Sequence, residues 1–557
     1  MLSYEIRYVP AEGVPGSLMR RFALPLAILV ALASAASAAA SPVYVLKGHG
    51  WGHGVGMSQY GALGRANDGQ DYKQILGFYY DGTNVGQTTQ RKIRVLLMEG
   101  QSSVTLRSSE SFKVGDKTLA RFTNWKLVPT SDGKVRVVGK GKLGSPATAK
   151  PGKGFLRIDH LRYRGDLKIY NHGGSLDVVN DVGLQGYLYS VVPREMPSSW
   201  LLEALKAQAV AARGYGVRAA RASWFDIYDD TRDQVYGGLD YSTGEDPGST
   251  AAVKATAREV LKSGGEVISA YFSSSNGGRT AASVDTWGGS LPYLVSKQDR
   301  FDLNTSPPNP NRNWTVVLSP HTLQNRLGAA RKPADAIVTS RKSGRVDRVR
   351  LERGGWAQTF PSTGLGPEWF RSVLGLRSSR FHLGVLDATP ATAKTVCSAR
   401  LRVNVLARGA SGVTLQRRRS DSSSWTDMSL TKDDAAHFHA IDRPCRATSY
   451  RLHSAAANSS PAAARVAPKI FFSGTQPAND GLNGSVRPIS LAGQTVHVDR
   501  KRKDGTWAKK VGSAVVQPDG KWHATNFNAV SGTYRARIAP PSSTGLVAGS
   551  TGEFNFN

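Results

Sequence analysis

The chain is predicted to be α+β: a mixed β-rich domain with a few helices, followed by two all-β sandwich-like modules. Three observations predict this. Residues 91–192 break into short apolar and polar runs separated by Gly, Asp and Ser turns, the pattern of successive strands. Helical spacing is sustained at 200–222 and from about 250 to 261, with a shorter run around Tyr72, Ile75, Leu76 and Tyr79. From about Thr389 the texture turns all-β and repeats: 413–417, Trp425, 437–440 and Tyr450-Arg451 recur in order as 496–500, Trp507, 521–524 and Tyr534-Arg535.

In chain order, Arg20 and Arg21 precede an apolar run at 22–32 that passes into small residues before Ser41-Pro42. A charged region, an apolar region and cleavage sites such as Ala36-Ser37-Ala38 make 1–40 a secretory signal peptide starting at Met19; an uncleaved membrane anchor is the alternative. The protein is therefore expected to be secreted. A first domain spans 41–388. Its β-rich part, 91–180, has strands at 93–97, 135–138, 156–158, 167–170 and 176–179. The helix at 200–222 has Ser198 or Ser199 as N-cap and an apolar stripe of Leu201, Leu205, Ala209 and Ala212. The second helix ends before Gly264-Gly265, and 307–311 is a Pro/Asn loop. The repeat implies modules at 389–455 and 468–557 joined by an Ala/Pro/Ser-rich linker at 456–467; neither module holds an acid/base constellation. Cys397 and Cys445, the two cysteines present, are either one disulfide or two buried thiols.

At 557 residues, 40% of them apolar, the chain can fill several cores. Lys plus Arg number 72 against 42 Asp plus Glu, so the net charge is 72 − 42 = +30, which points to a polyanionic partner: nucleic acid, acidic membrane or an anionic cell wall. Charged residues are 20% of the chain and no Lys/Arg block resembles a nucleic-acid arm. Export also argues against nucleic acid.

Three segments carry candidate chemistry. In 48–62, five glycines in nine residues force a loop, and His49, His53, Gln59 and Tyr60 supply hydrogen-bonding and stacking groups suited to a sugar. No Lys-Ser/Thr closes the run as a phosphate loop would, and the glycines argue against a helix that would align His49 and His53 on a metal. In the second segment, Glu195 is the lone carboxylate of an apolar, Pro-bracketed stretch just before a helix start. The helix end and Arg194 favour its charged form, while burial among Val191, Met196 and Trp200 favours the acid. Lys206 and Arg213, two helical turns apart, share one face as a basic stripe; an N-terminal capping charge and a solvated basic face are the plain alternatives. In the third segment, Ser274, Ser275, Asn276 and Thr280 sit in a Ser/Asn/Gly loop, without the Gly-x-Ser-x-Gly elbow of a serine nucleophile.

Together these segments resemble the SpoIID/LytB family. The matching blocks are Gly-His-Gly-Val-Gly-Met-Ser-Gln-Tyr-Gly-Ala at 52–62, Val-Pro-Arg-Glu-Met-Pro-Ser-Ser-Trp through Ala-Val-Ala-Ala-Arg at 192–213, and Ser-Ser-Ser-Asn-Gly-Gly-Arg-Thr at 273–280, with a looser one at 370–378. The resemblance spans about 44–384 and implies a peptidoglycan lytic transglycosylase that cleaves denuded glycan strands after N-acetylmuramic acid, leaving anhydromuramoyl ends. It puts the catalytic acid/base on Glu195, with Lys206 and Arg213 as substrate contacts and the loops at 48–62 and 273–280 as cleft walls. No cofactor or metal is carried over, since no cysteine precedes 397. The implied partners are glycan strands, anionic wall polymers and, under the LytB half of the name, a wall amidase that the protein activates without catalysis. A two-carboxylate hydrolase using Asp285 or Asp302 stays open. The Gly-His-Gly block opens this domain instead of closing it, a permuted order, so it is expected to meet Glu195 in space. Ala281 stands where relatives often have an acid.

Overall fold

A computed structural model describes residues 41–557 except 90, 240–244, 363, 365, 476–480, 526–529 and 557. The predicted signal peptide at 1–40 lies outside the described residues. The chain is a β-rich α+β protein.

The five strands predicted within 91–180 all form, as Lys92–Gln101, Val135–Val137, Leu156–Ile158, Asp166–His172 and Ser175–Gly183. They divide between a seven-stranded and a six-stranded sheet. Ser175–Gly183 lies inside the seven-stranded sheet, antiparallel to Asp166–His172 on one side and Lys92–Gln101 on the other. Seven of its nine residues are buried, as a strand covered on both faces requires. Its last residue, Gly183, is the N-cap of a helix, so the strand feeds straight into the element that carries Glu195.

Five helices share one core with these sheets: α1 (Gln59–Asn67), α2 (Tyr72–Tyr79), α3 (Leu184–Glu195), α4 (Leu202–Arg218) and α5 (Pro247–Ala255). Helix α4 begins two residues later than its pattern suggests, with Leu201 as N-cap and no side-chain capping bond, so neither Ser198 nor Ser199 caps it. It is also more enclosed than a single apolar stripe implies: Ala204, Ala207, Ala209, Val210, Ala211 and Ala212 are all buried, their small side chains letting neighbouring helices close in. Helix α5 is shorter than predicted. Asp246 caps it by accepting from the Gly248 N–H, and after Ala255 the chain turns through Arg258, at φ 62°, into the strand Glu259–Ser263. Val260 and Leu261, which read as helical periodicity, are buried strand residues paired with Asn84–Gln87.

Two boundaries drawn from composition move. Strand Phe381–Pro390 crosses the predicted limit at 388, pairing with Val43–Gly48 on one edge and Leu401–Arg408 on the other. One six-stranded sheet therefore continues from the first domain into the first repeat. Alternation along Val43–Gly48 serves both sides: Tyr44 and Leu46 join a core with Trp314 and Phe370, and Val45 joins one with Leu386, Val403 and Tyr450. The predicted linker at 456–467 contains the strand Ala462–Ala467, whose Ala462, Ala464 and Val466 are buried; small residues typical of linkers here permit close sheet packing.

The sequence repeat reappears as register. Arg417 faces Tyr450 and Gln416 faces Arg451 in the first unit; Arg500 faces Tyr534 and Asp499 faces Arg535 in the second. Arg451 lies 4.2 Å from the ring centroid of Trp425, and Arg535 lies 4.2 Å from that of Trp507. Cys397 and Cys445 are disulfide-bonded. Among the described residues no helix is long and apolar enough to cross a membrane.

Candidate active site

Glu195 is the last residue of α3, not the residue before a helix start. Pro193 sits within the final turn without ending the helix, which is why a Pro-bracketed reading misplaces the boundary. The consequence is electrostatic. The nearby helix end is the carbonyl, negative end of α3, which disfavours a carboxylate. Arg194 does not offset this: it donates to the Ser190 carbonyl (3.0 Å) and hydroxyl (2.8 Å) and to the Gly237 carbonyl (3.3 Å). Desolvation by burial pushes the Glu195 pKa above its ordinary value, against two opposing hydrogen bonds, from the Val235 N–H to Oε1 and from Gln59 Nε2 to Oε2, both 3.1 Å. Burial wins, as proton donation near neutral pH requires.

Gln59 arrives from the glycine-rich block, 136 residues away in sequence, so the permuted block meets Glu195 directly. Gly50, Gly52, Gly54 and Gly56 all have positive φ, and Gly56 lies against the Tyr271 carbonyl with no room for a Cβ. The loop ends at Ser58, which caps α1 by accepting from the Gly61 N–H at 3.0 Å. The loop thus ends sooner than one over the whole of 48–62, and Gln59 and Tyr60 lie on the first turn of α1. The Tyr60 ring packs on Trp200 at 4.9 Å, beside the turn that follows Glu195.

His53 lies elsewhere in the loop. Its Nδ1 accepts from the Val55 N–H at 2.9 Å, which places the proton of the neutral ring on Nε2. Burial holds its pKa down to about 4. Its ring neighbours Trp287 at 5.2 Å and Tyr271 at 6.4 Å; Tyr271 also meets Trp287 at 4.7 Å and Tyr215 at 5.6 Å. Trp287 is 44% exposed. Tyr215 donates through its hydroxyl to Asp233 at 2.6 Å, two residues before the Val235 amide that holds Glu195. One segment therefore links this aromatic cluster to the carboxyl. His49 is bonded through Nδ1 to the Arg312 carbonyl at 2.7 Å and faces a different cleft.

The third block turns inward. Ser275 Oγ donates to Asp302 at 2.9 Å, the Asn276 side chain donates to Asp299 at 2.7 Å, and Thr280 Oγ1 donates to the Val295 carbonyl at 2.8 Å; all three residues are at most 2% exposed. Ser274 accepts from Asn311 at 3.3 Å and offers its carbonyl to the Tyr60 N–H. Asp302 also accepts from Ser58 Oγ and from the Asn276 and Gly278 amides. Three of these residues are thus the mortar joining the first and third blocks, which positions α1 and hence Gln59.

Arg213 is 1% exposed and donates to the Glu259 carbonyl (2.9 Å), the Val253 carbonyl (3.3 Å) and Gln185 (3.4 Å), tying α4 to α5 and the strand beyond; burial pulls its pKa down to about 10. Lys206 is paired with Glu203 at 2.7 Å. The two residues form no open basic stripe, because helix α4 is enclosed. The cleft that Arg213 borders, about 480 Å³, lies at the Gly183–Gln185 end of α3, one helix length of roughly 16 Å from Glu195. The two other carboxylates considered are engaged: Asp285 accepts from Ser343 Oγ at 2.5 Å, and Asp302 is 0% exposed.

The Val235 amide and the Tyr215–Tyr271–Trp287 cluster are the parts that residue patterns do not reveal. A backbone donor has no sequence signature, and the aromatic rings come from separate segments.

The stage II sporulation protein (SpoIID) family matches residues 172–262, the stretch that contains Glu195, Lys206 and Arg213. The amidase enhancer of Bacillus subtilis (strain 168) is 39% identical over 165 residues, 29% of this chain and 21% of that protein. Stage II sporulation protein D of the same organism is 31% identical over 175 residues, 28% of this chain and 50% of its own length. An uncharacterized protein of Brachyspira hyodysenteriae is 28% identical over 304 residues, 51% of this chain and 79% of that protein. The matched region thus spans about one fifth of the amidase enhancer and half of the sporulation protein.

Proposed function

From the premise that this is a SpoIID-family protein with a cell-wall-related function, we propose that it is a secreted lytic transglycosylase acting on denuded peptidoglycan strands. The observation that carries this reading is a burial-raised carboxyl, Glu195, held by Gln59 and the Val235 amide and, among the described residues, in no ion pair. Protonated Glu195 donates to the glycosidic oxygen after N-acetylmuramic acid, and the C1–O bond breaks. The resulting carboxylate then takes the proton of that sugar's own 6-hydroxyl as O6 bonds to C1. Atoms balance without water, and one carboxyl serves both steps. The exposed Trp287, packed on Tyr271, offers a stacking face to neighbouring sugars. Electrostatic attraction between a +30 chain and anionic wall polymers keeps the protein at the wall.

Digestion of purified denuded glycan tests this: wild type is expected to release anhydromuramoyl ends and Glu195→Gln to release none. Release by Glu195→Gln at the wild-type rate sinks the assignment.

The 39% identity to the amidase enhancer favours a second reading, activation of a wall amidase without catalysis. It predicts glycan binding without product, and amidase stimulation that persists in Glu195→Gln.

A further inference from the structure

We propose that the cleft lined by Arg279, Arg341, Arg380, His49, His382 and Ser343 is a binding site for a phosphate group carried on a sugar or polyol. The site is separate from Glu195 and does not depend on its chemistry. Three arginines and two histidines line one space of about 470 Å³, and no Asp or Glu lines it among the described residues. Acids close to these residues are occupied: Glu368 pairs with Arg371 and accepts from Ser379. Asp285 is spent on the Ser343 hydroxyl, and Asp302 takes hydrogen bonds from Ser58, Ser275 and the amides of Asn276 and Gly278.

The arginines are held in place by contacts that leave their charge unneutralised. Arg341 donates to the Phe381 carbonyl at 2.9 Å and the Gly344 carbonyl at 3.4 Å, and Arg279 Nε donates to Ser296 at 3.0 Å. Arg380 Nε is buried with no acceptor among the described residues. An unmet buried donor of this kind is costly unless something else accepts from it. Burial and the charges of Arg279 and Arg341 pull the Arg380 pKa down, and burial followed by Arg341, His49 and Arg380 does the same to His382. The folded chain therefore sustains a like-charge repulsion that a bound anion relieves.

Phosphate suits this space better than a carboxylate. It carries up to two negative charges, and it offers several oxygens to guanidinium forks converging from more than one direction. His49 donates from Nδ1 to the Arg312 carbonyl, which leaves Nε2 of the neutral ring as an acceptor for a ligand hydroxyl. The volume exceeds that of phosphate alone and leaves room for the sugar or polyol that bears it.

Calorimetric titration of the full chain at low salt with inorganic phosphate, glucosamine 6-phosphate, a glycerol phosphodiester oligomer and acetate tests the proposal. Phosphate compounds are expected to bind and acetate to bind at least tenfold more weakly. Arg341→Gln and Arg380→Gln are each expected to lose about tenfold in affinity, the loss of a charge-assisted hydrogen bond. Lys503→Gln, at an exposed lysine of the second repeat, is expected to bind as wild type. Arg341 is exposed, so its variant keeps the test valid if Arg380→Gln folds poorly. A second readout is thermal: phosphate is expected to raise the Tm of wild type more than that of Arg341→Gln at the same concentration. Tighter binding of the monoester than the diester identifies a phosphorylated sugar as the source, and the reverse identifies a phosphodiester polymer. Failure of wild type to bind any phosphate compound overturns the proposal. So does equal affinity in Arg341→Gln and wild type, or a loss in Lys503→Gln as large as in Arg341→Gln. None of these outcomes touches the assignment of Glu195.

Discussion

Glu195 and Asp302 are both carboxyls whose pKa burial pushes up, Asp302 to about 6, yet their surroundings differ. Asp302 is fully enclosed and accepts hydrogen bonds from two hydroxyls and two amides. Glu195 is half-buried and accepts two. Desolvation alone does not make a reagent. An acid becomes one when its environment raises the pKa while leaving lone pairs open to a substrate; an acid with every acceptor site filled is a fastener.

Substitutions at the two centres sharpen that contrast, beginning with the largest effect. Glu195→Gln is expected to lower the rate of anhydromuramoyl release at least ~10³-fold with the melting temperature unchanged, since removal of the proposed proton donor leaves only binding. Parallel activity and thermal-melt assays check it; a matching fall in stability breaks the distinction. Asp302→Ala is expected to do the opposite, costing roughly 3–5 kcal/mol by urea denaturation because it strands buried donors. Its signature is pH-dependent. The folded pKa of Asp302 is raised to about 6 from 3.8, so its contribution to stability is fully present below about pH 4 and is lost as pH rises through about 6. Asp302→Asn is expected to flatten that part of the stability profile.

Arg213→Gln comes next, at about 2–3 kcal/mol of stability for a buried charged donor, with KM for glycan unchanged. A raised KM at full stability would show instead that Arg213 contacts substrate. The smallest effect belongs to Gln59→Ala, about tenfold in rate, or ~1.4 kcal/mol, from the loss of one hydrogen bond that orients the carboxyl. Because that bond lowers the Glu195 pKa, its removal is expected to move the alkaline limb of the activity profile to higher pH. A limb that moves the other way breaks the reading of Gln59 as a donor to Glu195.

Much of this was legible in residue order, for local reasons. Alternating runs located the five strands within 91–180 because period-two burial is a property of the strand itself. The repeat at Trp425 and Trp507 predicted equivalent pairings, and the registers of Tyr450 and Tyr534 match. Legibility failed where a neighbour decides. Val260 and Leu261 fit a helical stripe, but the strand Asn84–Gln87 recruits them. The Ala-rich stretch after 456 reads as linker until the adjoining strand Thr448–His453 pairs with Ala462–Ala467.

The candidate site divides along the same line. Sequence by itself determined that Glu195 is a lone carboxyl in an apolar stretch and that 48–56 is a loop, since glycine content and hydrophobic run are properties of the chain. Only the tertiary structure decided that Gln59 and the Val235 amide hold that carboxyl, and that Arg213, Ser275 and Asn276 point inward. It also gathered Arg279, Arg341 and Arg380 around one cleft. The physical reason is common to all: desolvation, hydrogen bonding and charge repulsion depend on what lies within a few ångströms in space. In this fold those neighbours are often more than a hundred residues away in sequence.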